Sequence, residues 1–64
     1  MDGFVDEVLT TKELAQFLKL SKETVYKLLR SGEIPYTRFQ HKYRVLKSEL
    51  IEWLKANRYT EINF

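Results

Sequence analysis

The 64-residue sequence contains no cysteine, only one proline and only two glycines. The lack of cysteine excludes a disulfide-stapled scaffold and any zinc site built on thiolates. No apolar run exceeds two residues, which excludes a membrane-spanning segment and a secretory signal in this sequence. A chain of this length allows one small domain. We expect residues 1–64 to form that domain, with an ordered core over about 8–58.

Residues that carry catalysis or bind metals are also sparse. His41 is the single histidine, and no carboxylate cluster lies near it in the sequence. The sequence has no phosphate-binding glycine loop and no motif for an activated nucleophile, and a chain this short has little capacity for a concave pocket. We therefore predict a protein that is not an enzyme and that needs no cofactor or metal.

The charge is distributed unevenly, although the net charge is only +2. Residues 1–18 carry a net charge of −3, residues 19–47 a net charge of +6 and residues 48–64 a net charge of −1. Such a basic segment attracts a polyanion such as a nucleic acid. Alternatively, the cations lie on a solvated face and pair with the acidic ends. Charge alone leaves both interpretations open.

Two helices are predicted in the first half of the chain. Thr10 and Glu13 fit a capping box, which indicates a helix over about 11–18. Ser21 is a good N-cap for a second helix over 22–31. Only two residues separate the first helix from this cap, and so short a break favours a helix-turn-helix arrangement.

A β-hairpin and a third helix are predicted in the second half. Alternation on both sides of Gln40-His41-Lys42 indicates a hairpin over 37–45, with Thr37, Phe39, Tyr43 and Val45 facing the core. The third helix begins near Lys47 or Ser48, ends near Asn57 and has a buried stripe formed by Leu50, Ile51, Trp53 and Leu54. Residues 1–6 and 60–64 are expected to be frayed ends from which four apolar side chains could dock, namely Phe4, Val5, Ile62 and Phe64.

The polar face of the second predicted helix suits the reading of a DNA duplex. Lys and Arg donate to guanine acceptors or to phosphate oxygens, Glu accepts from cytosine, and a Tyr hydroxyl reaches phosphate. The free N–H groups after the N-cap offer a phosphate site. The alternative is a surface helix whose charges only keep it soluble. The candidate DNA-binding residues here are Ser21, Lys22, Glu23, Thr24, Tyr26, Lys27 and Arg30.

The predicted hairpin supplies a second set of candidates. If its apolar residues face the core, Arg38 and Arg44 face outwards. A narrow basic hairpin can lie along a phosphate backbone or enter a minor groove. Charge also protects an exposed edge strand, and the two interpretations are compatible. The candidates are Arg38, Gln40, His41, Lys42 and Arg44.

Five segments together resemble one known family. They are Leu9–Ala15, Leu20–Tyr26, Gly32–Pro35, Tyr43–Val45 and Leu50–Leu54. Over residues 8–58 the chain resembles the excisionase-like winged helix-turn-helix domains, which are similar in fold to the DNA-binding head of MerR-type regulators. The resemblance implies a mainly α fold of three helices and a two-stranded β-hairpin wing, with helix 22–31 in the major groove and hairpin 37–45 as the wing. Two positions depart from the family pattern: Gln40–Tyr43 replaces a Gly-Arg-Arg-Trp-like turn, and Leu46 replaces a common proline.

The resemblance also implies a biological role. It indicates a sequence-selective double-stranded DNA-binding protein, an excisionase or recombination directionality factor of a phage or other mobile element. The implied partners are double-stranded DNA, an integrase or recombinase, and further copies of the chain bound cooperatively. The implied location is the bacterial cytoplasm, at the nucleoid, with no membrane contact. The alternatives are a small transcriptional regulator with the same DNA face and a protein-interaction module that keeps the fold without DNA binding.

Overall fold

The computed structural model of the protein describes residues 6–62. In chain order its elements are β1 (Val8–Leu9), α1 (Thr11–Leu18), α2 (Lys22–Ser31), β2 (Thr37–Phe39), β3 (Lys42–Leu46) and α3 (Lys47–Ala56). Three helices and a small antiparallel sheet confirm the predicted fold class, and β1 adds a strand that the sequence did not reveal. Phe4, Val5 and Phe64 lie outside the described residues.

Local caps set the first residues of α1 and α2, and both helices have the predicted bounds. At the start of α1, the Glu13 N–H donates to Thr10 Oγ1 at 3.1 Å and the Thr10 N–H donates to Glu13 Oε1 at 2.9 Å, which closes the capping box. At the start of α2, the Thr24 N–H donates to Ser21 Oγ at 3.2 Å. Because each cap joins residues three positions apart, these helix starts are encoded locally.

A turn of two residues, Lys19 and Leu20, ends α1. Lys19 has left-handed backbone angles, with φ 59° and ψ 44°. The Leu20 N–H donates to the Ala15 carbonyl at 3.0 Å and the Lys19 N–H donates to the Gln16 carbonyl at 3.3 Å. These are the two bonds of a Schellman motif, in which a left-handed residue stops a helix abruptly. The chain can therefore reach the N-cap of α2 within three residues.

One apolar core lies between the helices and the sheet. Within residues 6–62 it consists of Leu9, Leu14, Ala15, Val25, Leu28, Leu29, Ile34, Val45 and Leu50. In α3, Leu50 is buried and both Ile51 and Trp53 are half-buried, but Leu54 is 37% exposed. The predicted buried stripe is therefore wrong at Leu54. Ile62 packs against the core, so the expected docking of this residue is confirmed.

The register of the β2–β3 hairpin, which we call the wing, differs from the predicted register. The cross-strand pairs are Thr37–Arg44, Arg38–Tyr43 and Phe39–Lys42. The wing therefore turns through two residues rather than three, which shifts β2 by one position and moves its side chains to the other face. The predicted inward orientation of Thr37 and Phe39 is wrong, because both are exposed. On β3, Val45 is buried and Tyr43 half-buried, as predicted.

The segment before α1 is tied to the start of α3. Leu46, the N-cap of α3, provides no side-chain cap, and Asp6 supplies one from 42 residues away. The Ser48 N–H donates to Asp6 Oδ1 at 3.0 Å, and the Ser48 hydroxyl donates to Oδ2. The bond from the Ser48 hydroxyl lowers the pKa of the Asp6 carboxyl, because it favours the charged form. The expectation that the chain is frayed through residue 6 is therefore wrong at Asp6.

Candidate nucleic-acid interface

The outer side of α2 carries a row of polar and charged side chains. Lys22, Glu23, Tyr26, Lys27 and Arg30 are all exposed, as the helical periodicity predicts. The opposite side of α2 is held in the core by apolar side chains that are at most 2% exposed, namely Val25, Leu28 and Leu29. This anchorage fixes the rotation of α2 about its axis, so its cations point away from the protein.

Ser21 and Thr24, the remaining candidates on this helix, serve its N-terminus. Their hydroxyl oxygens lie 3.0 Å apart, and Ser21 accepts the backbone bond that caps α2. Thr24 is half-buried and lines an apolar groove with Leu20 and Leu28. It lies about 160° around the helix from Tyr26, at about 100° per residue. Lys27, three residues further on, lies only about 60° from Thr24 around the helix, so Thr24 borders the exposed row at Lys27 while it is itself half-buried.

The two arginines of the wing lie on opposite faces of the hairpin. The register places Arg38 beside Tyr43, and Arg44 on the other face with Thr37. The Arg38 guanidinium lies 4.7 Å from the Tyr43 ring centroid and donates to the His41 carbonyl at 3.2 Å. The expectation that Arg38 and Arg44 share one outward face is therefore wrong, although Arg38 remains exposed and Arg44 half-exposed.

Gln40 and His41 form the tip of the wing. Both are exposed, and both have positive φ angles, 49° and 69°. Two successive positive φ angles are the signature of a type I′ hairpin turn, which usually contains asparagine and glycine. Neither residue is the asparagine or glycine that this turn favours, and Gln40 in particular holds its positive φ with backbone strain.

An aromatic cluster joins the wing to α2. The Tyr43 ring centroid lies 6.2 Å from that of Tyr26 on α2 and 5.0 Å from that of Tyr36, which precedes β2. The Arg38 guanidinium adds a cation–π contact to the same ring. Sequence reasoning missed this cluster, because only the correct register shows that Arg38 and Tyr43 share a face.

A cleft between α1, α2 and the wing collects cations from three parts of the chain. We call it the basic cleft; its volume is about 340 Å³, and it is lined by Thr10, Thr11, Lys12, Lys22, Tyr26, His41, Lys42, Tyr43 and Arg44. Four of these residues are Lys or Arg, and none is acidic. Sequence reasoning missed Thr10, Thr11 and Lys12, because no local signal brings the start of α1 to the wing.

Within residues 6–62, the cations of this surface form no ion pair with a carboxylate. The ion pairs in this part of the chain are Lys47–Glu7 at 3.5 Å and Lys55–Glu52 at 4.0 Å, and both lie outside the basic cleft. An anion that approaches the cleft therefore meets several cations and the side of α2 at once. This arrangement suits a ligand with repeated phosphates.

Two other kinds of site are absent from the described part of the chain. Residues 6–62 contain no group of three or more His, Cys, Asp or Glu side chains placed to hold a metal ion. None of the helices in this range has the length and apolar character needed to cross a membrane.

Comparisons with known proteins agree with this geometry. The model of a family described as "Helix-turn-helix domain" matches residues 8–58. The chain is 33% identical to "Putative DNA-binding protein MT0521" of Mycobacterium tuberculosis strain CDC 1551 / Oshkosh, in a match that covers 86% of this chain and 78% of the relative. It is equally similar to "Putative DNA-binding protein Rv0500A" of Mycobacterium tuberculosis strain ATCC 25618 / H37Rv. No solved structure matches the chain significantly.

Proposed function

The chain belongs to the helix-turn-helix domain family, and we propose that it binds double-stranded DNA sequence-selectively through α2 and the wing. In this proposal α2 enters the major groove, which is wide enough to admit an α-helix. The wing and the basic cleft contact the adjacent phosphate backbone. The names of the mycobacterial relatives, both described as DNA-binding, support the same activity.

The observation that carries the proposal is the continuity of the exposed cations. Lys27 and Arg30 lie on the outer side of α2, while Lys22 lies at its edge and also lines the basic cleft. Lys42 and Arg44 continue this positive surface on the wing. A duplex presents base edges in its groove and phosphates along the rims. Continuous donors on a helix and on the element beside it suit both parts of that ligand.

The roles divide according to position. We assign Lys27 and Arg30 to base edges or nearby phosphates, and Glu23 to an exposed cytosine amino group. We assign Lys42, Arg44 and the newly found Lys12 to phosphates, because they lie at the cleft rather than on the outer side of α2. Phosphate contacts set position and affinity but carry no sequence information directly. Specificity is therefore assigned to α2 and salt-dependent affinity to the cleft.

Selection of bound duplexes from a random pool, followed by titrations at several salt concentrations, tests the proposal. Arg30→Ala or Lys27→Ala should weaken binding to the selected site by about 1–3 kcal/mol for each lost base contact. Arg44→Ala should weaken binding to all sequences similarly and lower the salt slope by about one. Lys55→Ala is the matched control, since it removes the same charge outside the interface.

Two results together would contradict the proposed DNA binding. If the pool yields no enriched sequence, and if the interface variants bind DNA no more weakly than Lys55→Ala, the surface does not bind DNA. Chemical-shift mapping with random duplex DNA gives the complementary result. If the surface does not bind DNA, the chemical-shift changes should avoid Tyr26 and Arg38. The protein is then better explained as a protein-interaction module.

At a finer level, we propose that the protein is a recombination directionality factor of a mobile element. The segments that resemble excisionase-like domains support this role. A single DNA-binding module buries only about 600–1,000 Å², so useful affinity calls for repeated sites or a protein partner such as an integrase. The selected motif should then recur beside an integrase attachment site. Recurrence at promoters alone would instead assign the protein to transcriptional regulation.

A further inference from the structure

Phe39 on the wing is exposed, whereas the alternation of apolar residues in the sequence predicts that it faces the core. Its side chain is 59% exposed, and it lies directly beside the turn, opposite Lys42. A turn of three residues would have placed it on the core side of the hairpin. The strained two-residue tip at Gln40 and His41 instead holds this aromatic side chain on the outer face.

We propose that Phe39 is an apolar wedge that inserts between neighbouring base pairs when the wing enters a minor groove, and that it kinks the bound duplex. The proposal rests on the proposed DNA binding and adds a mechanical role to the wing. Apolar wedges partially unstack a base step at a cost of a few kcal/mol, which is offset when the bent duplex contacts more protein surface.

The charges around Phe39 favour a nucleic acid over a protein partner. No acidic residue occurs from Ile34 to Ser48, whereas Arg38, Lys42 and Arg44 all belong to this stretch. Lys42 pairs directly with Phe39 across the strands. Lys42 and Arg44 share the outer face of the wing with Phe39, so they are placed to contact phosphates beside the base step that the ring enters.

The outer face of the wing is also continuous with the proposed DNA interface. A shallow groove of about 240 Å³ on this face is lined by Val8, Thr37, Phe39, Arg44, Val45 and Leu46. Arg44 lines both this groove and the basic cleft. A duplex whose phosphates contact Arg44 therefore lies beside Phe39 without any rearrangement of the wing.

Fluorescence of 2-aminopurine, placed at successive steps of the duplex recovered by selection, tests the wedge. The wild-type protein should raise the fluorescence at one step beside the α2 contacts, because unstacking relieves quenching. Phe39→Ala should abolish this rise and weaken binding to the intact duplex about tenfold, equal to about 1.4 kcal/mol. On a duplex with a mismatch at that step, the difference should shrink to about threefold or less, because the unstacking cost is already reduced.

Two variants separate the wedge from other effects. Phe39→Leu keeps an apolar side chain and should retain most of the fluorescence rise. Val8→Ala removes another exposed apolar side chain, one that is 50% exposed in the same groove but lies in β1 rather than at the tip. It should change neither the fluorescence nor the affinity. Because Phe39 is exposed, Phe39→Ala should also unfold at the wild-type temperature.

Three results would overturn the wedge. If Phe39→Ala matches the wild type in fluorescence and affinity, the wedge is wrong while DNA binding stands. If Phe39→Ala alters self-association in sedimentation but leaves the fluorescence unchanged, the side chain belongs to a protein contact. If selection with the wild type enriches no duplex and titration with random duplex DNA shows no binding, the proposed function fails and the wedge fails with it.

Discussion

The helix-turn-helix and the wing are stabilised by different means. Helices α1 and α2 supply Leu14, Ala15, Val25, Leu28 and Leu29, which are five of the nine core residues found within 6–62. The wing supplies Val45 alone, and every residue of β2 is exposed. The wing depends instead on its backbone ladder and on the aromatic cluster around Tyr43. Because the wing has few buried apolar contacts, we expect it to open locally more easily than α2.

Truncation of a core residue of α2 should have the largest effect on stability. Leu29 is fully buried, so Leu29→Ala should lower the free energy of unfolding by about 2–5 kcal/mol. Phe39→Ala should change it by less than about 0.5 kcal/mol, since the side chain is exposed. Urea denaturation measures both values. Similar losses in the two variants would mean that the wing contributes to the core as much as α2 does. If Leu29→Ala lacks a cooperative transition, Leu29→Val provides a milder comparison.

The left-handed residues that end α1 and α2 should respond oppositely to substitution. Gly32 has φ 81°, and a Cβ added there would contact nothing within 4 Å, so Gly32→Ala should cost about 1–2 kcal/mol through backbone strain alone. Lys19 has φ 59° and already carries that strain. Lys19→Gly should therefore stabilise the fold by about 0.5–1 kcal/mol. Thermal unfolding should show opposite signs for the two substitutions, and equal signs would contradict the role assigned to these turns.

Relief of strain at the tip tests whether the wing is weakened by its turn. The double substitution Gln40→Asn, His41→Gly introduces the pair favoured in type I′ turns and should stabilise the hairpin by about 1 kcal/mol. Hydrogen exchange of the β2 and β3 amides should slow. Exchange of the α2 amides should slow only by the amount that the change in the global free energy of unfolding explains. Faster exchange in the wing would show that the native turn is not strained.

The smallest effect concerns the pH dependence of the Asp6 tie. The pKa of Asp6 is lowered in the folded protein, so the stability it contributes is present above its ordinary value of 3.8 and is lost as the pH falls through the lowered pKa. Asp6→Asn should therefore remove a small part of the acid sensitivity of unfolding below about pH 4. Urea denaturation at a series of pH values measures this change, and Glu61→Gln, at an exposed position, is the control. If the free energy of unfolding depends on pH in the same way in the wild type and in Asp6→Asn, the contact between Asp6 and Ser48 does not contribute to stability.

The parts of the fold that the sequence predicts well depend on short-range chemistry. The caps at Thr10 and Ser21 act over three residues, and the apolar stripe of α2 repeats with the helical period. The exposed face of α2, and with it most of the candidate site, follows from the same period. These features needed no knowledge of the rest of the chain.

The parts that were missed depend on contacts between distant residues. The two-residue turn of the wing lacks Asn and Gly, so nothing local separates it from a three-residue turn, and the orientation of Phe39 follows from that choice. β1 is a strand only because Val8 pairs with Leu46 and Leu9 with Val45. Likewise, Lys12 reaches the basic cleft only through the packing of α1 beside the wing.

The wing and α3 are joined without an intervening loop. β3 is the central strand of the sheet, and its last residue, Leu46, is followed at once by Lys47, the first residue of α3. No loop separates β3 from α3, so we expect a displacement of the wing to shift the start of α3. Backbone resonances of Leu50 and Trp53 should therefore report the docking of a duplex that neither residue touches.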